Sequence, residues 1–327
     1  MTDTQNEVFK TPVNKIRLFE HGAPGSQNFK LTRKYYTEDM PDGRVKHIVQ
    51  NITDPDIVPY IPDGIGNSTD RQRIPAVLII PGGAFRRLVY NFEGEDVAKW
   101  LNSMGIAAFV LECRLPSDEH DNAEDVPLID AMRAMRVIRG RAQEFGIDEA
   151  KIGVMGFSAG GFMAALLSTA YESDVYADYK YKDEYDKLSA RPDFAVCSYP
   201  VISIDDCIEA GKRYMPEEQV LERISDSKAK ILHKYNPDKL VRPDMPPVFI
   251  CETDDDRTTL SENSVGFYMA ARKAGVSAEL HIFRTGGHGY GCGDDFAQTG
   301  EWKVLFTKWI KSCLLYTSDA ADDLIGV

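Results

Sequence analysis

The chain has 327 residues, 43% hydrophobic and 27% charged, with 38 Lys and Arg against 51 Asp and Glu and a net charge of −13. That apolar share is ordinary for a globular chain, which excludes a disordered or fibrous protein. The acidic surplus argues against nucleic acid, which is bound by Lys and Arg neutralising phosphate, and lends no support to an anionic membrane surface as target.

The first twenty residues contain no apolar run that could form a signal-peptide core. Stretches such as Pro75–Pro81 and Ile106–Leu111 fall far short of the ~20 residues that span a bilayer. Cysteines stand at 113, 197, 207, 251, 292 and 313, with no CxxC pair. Cys113, Cys197 and Cys251 lie in apolar, strand-like runs, so they read as small buried hydrophobes in a reducing compartment, and a cytoplasmic location is expected.

Along the chain, short apolar runs alternate with longer amphipathic ones, the pattern of βαβ units and a largely parallel sheet. Strands are expected at Val45–Ile52, Ala76–Ile80, Ala107–Glu112, Ile152–Met155, Phe194–Tyr199, Val248–Cys251 and Ala278–Phe283. Helices are expected at Glu95–Met104, Val126–Phe145, Phe162–Ala170, Ser261–Ala274 and Trp302–Ile310. Asp125 stands where it would cap the second of these, with Pro127 in the first turn. Its Leu128, Met132 and Met135 fall at core spacing.

Residues 1–73 are expected to form an N-terminal extension whose first strands pack on a domain spanning 74–312. Two stretches, 176–190 and 204–239, break the rhythm. They are expected as cap-like insertions over the C-terminal edge of the sheet, where ligand sites form in open α/β folds. Tyr179, Tyr181 and Tyr185 would there line a substrate mouth or pack as polar surface. Residues 313–327 resemble a translated sequencing-library adapter, so the natural chain is expected to end, or be cut short, near Ser312.

The strongest chemical signal is Gly156-Phe157-Ser158-Ala159-Gly160, after a strand-like run and before a helix. G-x-S-x-G in that setting is a nucleophile elbow, a sharp turn that lifts a serine hydroxyl above the sheet. A serine needs a base and an orienting acid. In this arrangement the chain order is Ser, then Asp or Glu, then His on a loop after the last strand. His281 lies inside a strand-like run and would point sideways, whereas His288 sits in Gly286-Gly287-His288-Gly289 just past it. His288 is therefore the expected base. The acid should follow Val248–Cys251, where Asp254, Asp255 and Asp256 stand together. Asp256, just before the chain turns at Arg257-Thr258-Thr259, is the expected acid, with Asp255 as the alternative. The backbone N–H of Ala159, with those of Gly83 and Ala84 in Pro81-Gly82-Gly83-Ala84-Phe85, would hold an oxyanion. His288, Cys292, Asp294 and Asp295 supply no second Cys/His pair of the kind a structural zinc site uses, so no metal is expected.

These residues resemble the α/β-hydrolase superfamily, and within it the bacterial acetyl-xylan-esterase and carbohydrate-esterase-like branch, related to the dienelactone-hydrolase and prolyl-oligopeptidase-like groups. The likeness rests on Pro81–Phe85, Phe92–Glu95, Arg114–Pro116, Pro127–Ala131, Gly156–Gly161, Leu188–Asp193, Glu262–Ser264 and Gly286–Gly289. Pro81 stands where many such esterases carry histidine, and Phe162 replaces a commoner histidine after the elbow. The resemblance implies an α/β-hydrolase fold and a serine esterase removing acetyl or other short acyl groups from a small-molecule or oligosaccharide ester, with no cofactor. A prolyl-oligopeptidase-like peptidase and a non-catalytic binding protein of the same fold are the alternatives.

Overall fold

The structure is a computed structural model that describes residues 9, 13–65, 73–118, 120–213, 215–224, 227–293 and 298–319. In chain order the strands are β1 (Ile16–Arg17), β2 (Lys34–Asp39), β3 (Val45–Gln50), β4 (Asp56–Tyr60), β5 (Ile74–Ile80), β6 (Leu88–Val89), β7 (Ala107–Glu112), β8 (Ile147–Phe157), β9 (Ala195–Ser198), β10 (Val248–Thr253) and β11 (Ala278–Phe283). The helices are α1 (Asp96–Ser103), α2 (Val126–Gly140), α3 (Ala142–Phe145), α4 (Ala159–Ala170), α5 (Ile204–Lys212), α6 (Glu217–Ile224), α7 (Ser227–Lys234), α8 (Ser261–Lys273) and α9 (Glu301–Asp319). None of the described helices is long and apolar enough to cross a membrane.

The uninterrupted apolar runs are strands covered on both faces: Ala76–Ile80, Ala107–Leu111 and Val248–Cys251 are buried throughout. One sheet has the order β1-β4-β7-β5-β8-β9-β10-β11. Its strands from β7 to β11 are parallel neighbours, and β4 runs antiparallel to β7 and β1. The chain steps from β5 to β7 on one side, then returns across β5 to β8 on the other. Right-handed crossovers therefore put α1 on one face and α2, α4 and α8 on the opposite one. α9 joins α1, with the Trp302 ring 5.0 Å from that of Trp100. Where the direction reverses, the connections leaving β5 and β8 part to opposite faces, and a crevice opens at the C-terminal strand ends. Register sets Ile80 beside Gly156 there, so the chain after each strand enters the same crevice.

Strands β1, β2, β4 and β6 lie outside the runs expected from periodicity. β4 contains Pro59, which reads as a strand breaker, but β1 pairs only with Asp56 and Ile57. Among the described residues, the outer edge of β4 thus has no ladder at Pro59 to interrupt. β3 is shorter than expected because Asn51 turns left-handed at φ 57°. β2, β3 and β6 make a second, antiparallel sheet. Ion pairs pin the N-terminal segment to the main sheet: Lys15 Nζ lies 2.6 Å from Glu112, and Arg33 Nη1 lies 2.6 Å from both Glu112 and Asp56. Burial, with Glu112 alongside, still pushes the Asp56 carboxyl up to about 6 against the pull of Arg33 and Lys15.

Two expectations are corrected. Residues 176–190 are not a cap over the crevice. They leave the far end of α4, return to the start of β9, and pack on the outer face of α2 through Arg133, which is paired with Asp183 and 3.1 Å from Asp186. Tyr185 packs on Gly140, and the Tyr179 hydroxyl donates to Gly22 O at 2.8 Å. Helices α5 to α7 within 204–239, in contrast, follow the C-terminal end of β9. Asp125 precedes α2 without capping it. Its carboxylate accepts instead from the Tyr235 hydroxyl (2.5 Å) and Lys234 (2.7 Å), tying α7 to the start of α2.

The loop after β7 is locked by Arg114 and Asp130, both wholly buried. Arg114 Nη2 lies 2.6 Å from Asp130 Oδ1, its N–H donates to Oδ2 at 2.8 Å, and Nη1 donates to Ser26 Oγ at 2.8 Å and to Pro24 O. Asp130→Asn leaves the guanidinium buried without its counter-charge and is expected to cost ~3–5 kcal/mol in urea unfolding. A loss below ~1 kcal/mol, the scale of an exposed pair, would show that the pair is not this latch.

Candidate active site

Ser158 joins β8 to α4 with φ 54° and ψ −118°, a conformation strained for any residue with a Cβ. Its neighbours explain the glycines. A Cβ on Gly156 would stand 1.9 Å from Gly160 O, and one on Gly160 would stand 1.9 Å from Ile80 O. The turn is so tight because backbone of three segments crosses beneath the serine. The Ser158 N–H donates to Ser198 O at 3.0 Å, fixing the elbow to the end of β9.

The structure brings Ser158, His288 and Asp256 together. Ser158 Oγ lies 2.8 Å from His288 Nε2, and His288 Nδ1 lies 2.6 Å from Asp256 Oδ2. Asp256 is 3% exposed, whereas Asp254 and Asp255 face solvent. Burial acts to raise the Asp256 carboxyl, but the His288 contact and the backbone N–H groups of Thr259 and Thr258 outweigh it and hold the group below the usual value. Thr258 N–H and Thr259 N–H donate to Oδ1 at 2.7 and 2.9 Å, and Thr259 Oγ1 donates to Oδ2 at 3.0 Å. An ionised carboxylate only accepts, so Nδ1 carries the ring proton and Nε2 is free to accept from the serine. That chain can draw a proton off Oγ and hold the resulting imidazolium.

Asp255 has another task. Its carboxylate accepts the N–H groups of Gly286 (3.0 Å) and Gly287 (2.8 Å), anchoring the loop that presents His288. His281 stays in β11, 2.7 Å from Glu279. Asp294 and Asp295 lie outside the described residues, and among those described no group of three or more His, Cys, Asp or Glu could hold a metal.

The turn after β5 sits against the elbow: a Cβ on Gly82 would stand 2.9 Å from Ser158 Cβ. Gly83, Ala84 and Phe85 all have positive φ (136°, 57° and 59°), and Gly83 O accepts from Arg86 and Arg87. Successive backbone N–H groups in a turn can form an anion-binding concavity. The Gly82 N–H is already taken by Glu93 Oε2 at 2.8 Å. Ala159 opens the twelve-residue α4, so its N–H lies at the positive end of that helix. Sequence reading gave no role to Thr259, Glu93 or Tyr199. The spacing of Asp256 to Thr258 and Thr259 is an Asx-turn pattern that marks Asp256 among its neighbours, whereas the pairing of Glu93 with Tyr199 joins residues far apart in sequence and has no local signal.

The BD-FAE family model matches residues 65–270, well over half of the chain. The chain belongs to the BD-FAE family. Ser158, Asp256 and the 81–85 turn fall inside the matched span, and His288 lies beyond it. The fold is that of the α/β hydrolases. An acetyl ester-xyloside bifunctional hydrolase from Caldicellulosiruptor lactoaceticus superposes with a TM-score of 0.68 at 34% identity, covering 91% of this chain and 95% of that one. An acetylxylan esterase of Xylanibacter ruminicola is 30% identical over 247 residues, 75% of this chain and 47% of its own length. An endo-1,4-beta-xylanase B of Butyrivibrio fibrisolvens is 29% identical over 269 residues, 80% of this chain and 40% of its own. This BD-FAE chain therefore spans less than half the length of those two relatives.

Proposed function

We propose that the protein is a serine carboxylesterase that removes short acyl groups, acetyl foremost, from carbohydrate esters of the xylan type. The observation that carries this reading is the continuous hydrogen-bonded chain from Ser158 through His288 to buried Asp256, 2.8 and 2.6 Å, at an elbow strained to expose the serine. Ser158 Oγ adds to the ester carbonyl while His288 Nε2 takes its proton. The N–H groups of Gly83, Ala84 and Ala159 hold the oxyanion. Collapse expels the alcohol, which receives the proton from His288, and leaves acyl-Ser158. Water, deprotonated by His288, then releases the acid and restores the serine. Asp256 stays ionised throughout and keeps the imidazole in one tautomer. The steps need no metal or organic cofactor.

Names of the relatives favour acetylated xylan over other esters: an acetylxylan esterase, an acetyl ester-xyloside bifunctional hydrolase and an endo-1,4-beta-xylanase. Free cysteines among the described residues fit a reducing compartment such as the cytoplasm. Two measurements test the reading. A fluorophosphonate should label Ser158, and acetate should appear from acetylated xylo-oligosaccharides faster than ferulate from feruloyl esters. Absence of labelling would remove the serine hydrolase, including the peptidase alternative, and leave a binding protein. Labelling without acetate release would move the substrate away from carbohydrate.

A further inference from the structure

Glu93 is buried, 4% exposed, and the chemistry above makes no use of it. It sits on a single π-helical turn, Asn91–Glu95, between β6 and α1, a local irregularity often associated with functional sites. Withdrawing a carboxylate from water is costly unless its oxygens are matched by donors. Here each oxygen has one. Oε2 accepts the Gly82 N–H at 2.8 Å and Oε1 accepts the Tyr199 hydroxyl at 3.0 Å. The Tyr199 oxygen in turn accepts the Gly291 N–H at 3.0 Å. The two ends of this chain lie on different loops of the site: Gly82 opens the turn facing Ser158, and Gly291 lies three residues past His288.

Tyr199 is itself held in an unusual geometry. Its φ is 38°, and its ring meets the His288 ring edge-on with centroids 5.1 Å apart. A Cβ on Gly82 would stand 2.7 Å from Glu93 Oε2 and 2.9 Å from Ser158 Cβ, so this backbone is clamped between carboxylate and nucleophile. The carbonyl of Gly82 accepts the Val89 N–H at 2.9 Å, so the peptide that presents Gly83 N–H is held between Glu93 on one side and β6 on the other.

We propose that Glu93 is a positioning residue: through Gly82 on one oxygen, and through Tyr199 and Gly291 on the other, it sets the spacing between the oxyanion turn and the histidine loop. The inference rests on the serine-esterase reading. Such a residue acts on the transition state, where donors and base must be aligned together, and little on ground-state binding.

The test is steady-state hydrolysis of p-nitrophenyl acetate by wild type, Glu93→Ala, Glu93→Gln and Tyr199→Phe, with thermal unfolding of each. Losing one oxyanion donor costs ~10²–10³ in kcat, so Glu93→Ala, which frees the turn, should lower kcat ~10²-fold and move KM less than ~3-fold. Glu93→Gln keeps an oxygen for the Gly82 N–H and should recover most of that loss. Tyr199→Phe cuts only the link to the histidine loop and should lower kcat ~10-fold at unchanged KM. Glutamine no better than alanine, or a wild-type kcat in Glu93→Ala, would overturn the assignment. If Glu93→Ala does not fold, a wild-type kcat in Tyr199→Phe overturns it equally. An inactive, unlabelled wild type would instead sink the esterase reading, which separates the two failures.

Discussion

Ser158→Ala is expected to lower kcat/KM for p-nitrophenyl acetate by ~10⁴–10⁶-fold, because removing the nucleophile of such a triad leaves only what binding and the oxyanion donors provide. Stability should barely move. Alanine pays the same penalty at φ 54° as serine, since the strain comes from the Cβ that both possess. The one hydrogen bond lost is that to His288 Nε2. Unfolding free energy should therefore stay within ~1 kcal/mol of wild type, the usual net worth of one such bond. Turnover above a few per cent in a folded Ser158→Ala protein would remove Ser158 from the chemistry.

Asp256→Asn should be nearly as damaging, with kcat down ~10³–10⁴-fold at little cost in KM, and the geometry says why. Thr258 and Thr259 N–H groups already donate to Oδ1, so the asparagine must place its carbonyl oxygen there. Its NH2 then faces His288 Nδ1, where a carboxylate oxygen stood at 2.6 Å. Nδ1 must become the acceptor, the ring proton moves to Nε2, and the imidazole can no longer take a proton from Ser158. Asp255→Asn is the control. Its carbonyl oxygen can still accept from Gly286 and Gly287, so the histidine loop keeps its anchor and activity should fall less than ~10-fold. A larger loss in Asp255→Asn than in Asp256→Asn would reverse the assignment of the acid.

What could be read from the chain and what could not divides along sequence distance. Glycines at 156 and 160 are required by contacts within a few residues and with the adjacent strand end, so the elbow announces itself. The Gly82-Gly83 turn and the Gly286–Gly289 loop do the same. Three consecutive aspartates, by contrast, are chemically alike in one dimension. Only folding separates a 3%-exposed Asp256 from its solvent-facing neighbours. The placement of 176–190 failed for a related reason: its position between two strand-like segments suggested a cap, but α4 intervenes, and the stretch from the end of α4 to the start of β9 runs along the outside of α2. β4 was likewise missed, and its tolerance of Pro59 depends on how little of the outer edge β1 covers.

By itself, the order of residues determined the alternation that builds a parallel sheet, the turn that raises Ser158, and the loop that must carry His288, because each is encoded by neighbours a few positions apart. Tertiary structure alone decided which carboxylate reaches the imidazole, what Asp255 holds, and that Glu93 and Tyr199 link the turn at Gly82 to the distant loop at Gly291. The reason is physical. Turn geometry is local and steric, whereas burial and hydrogen-bond partnership come into being only when distant segments exclude water together.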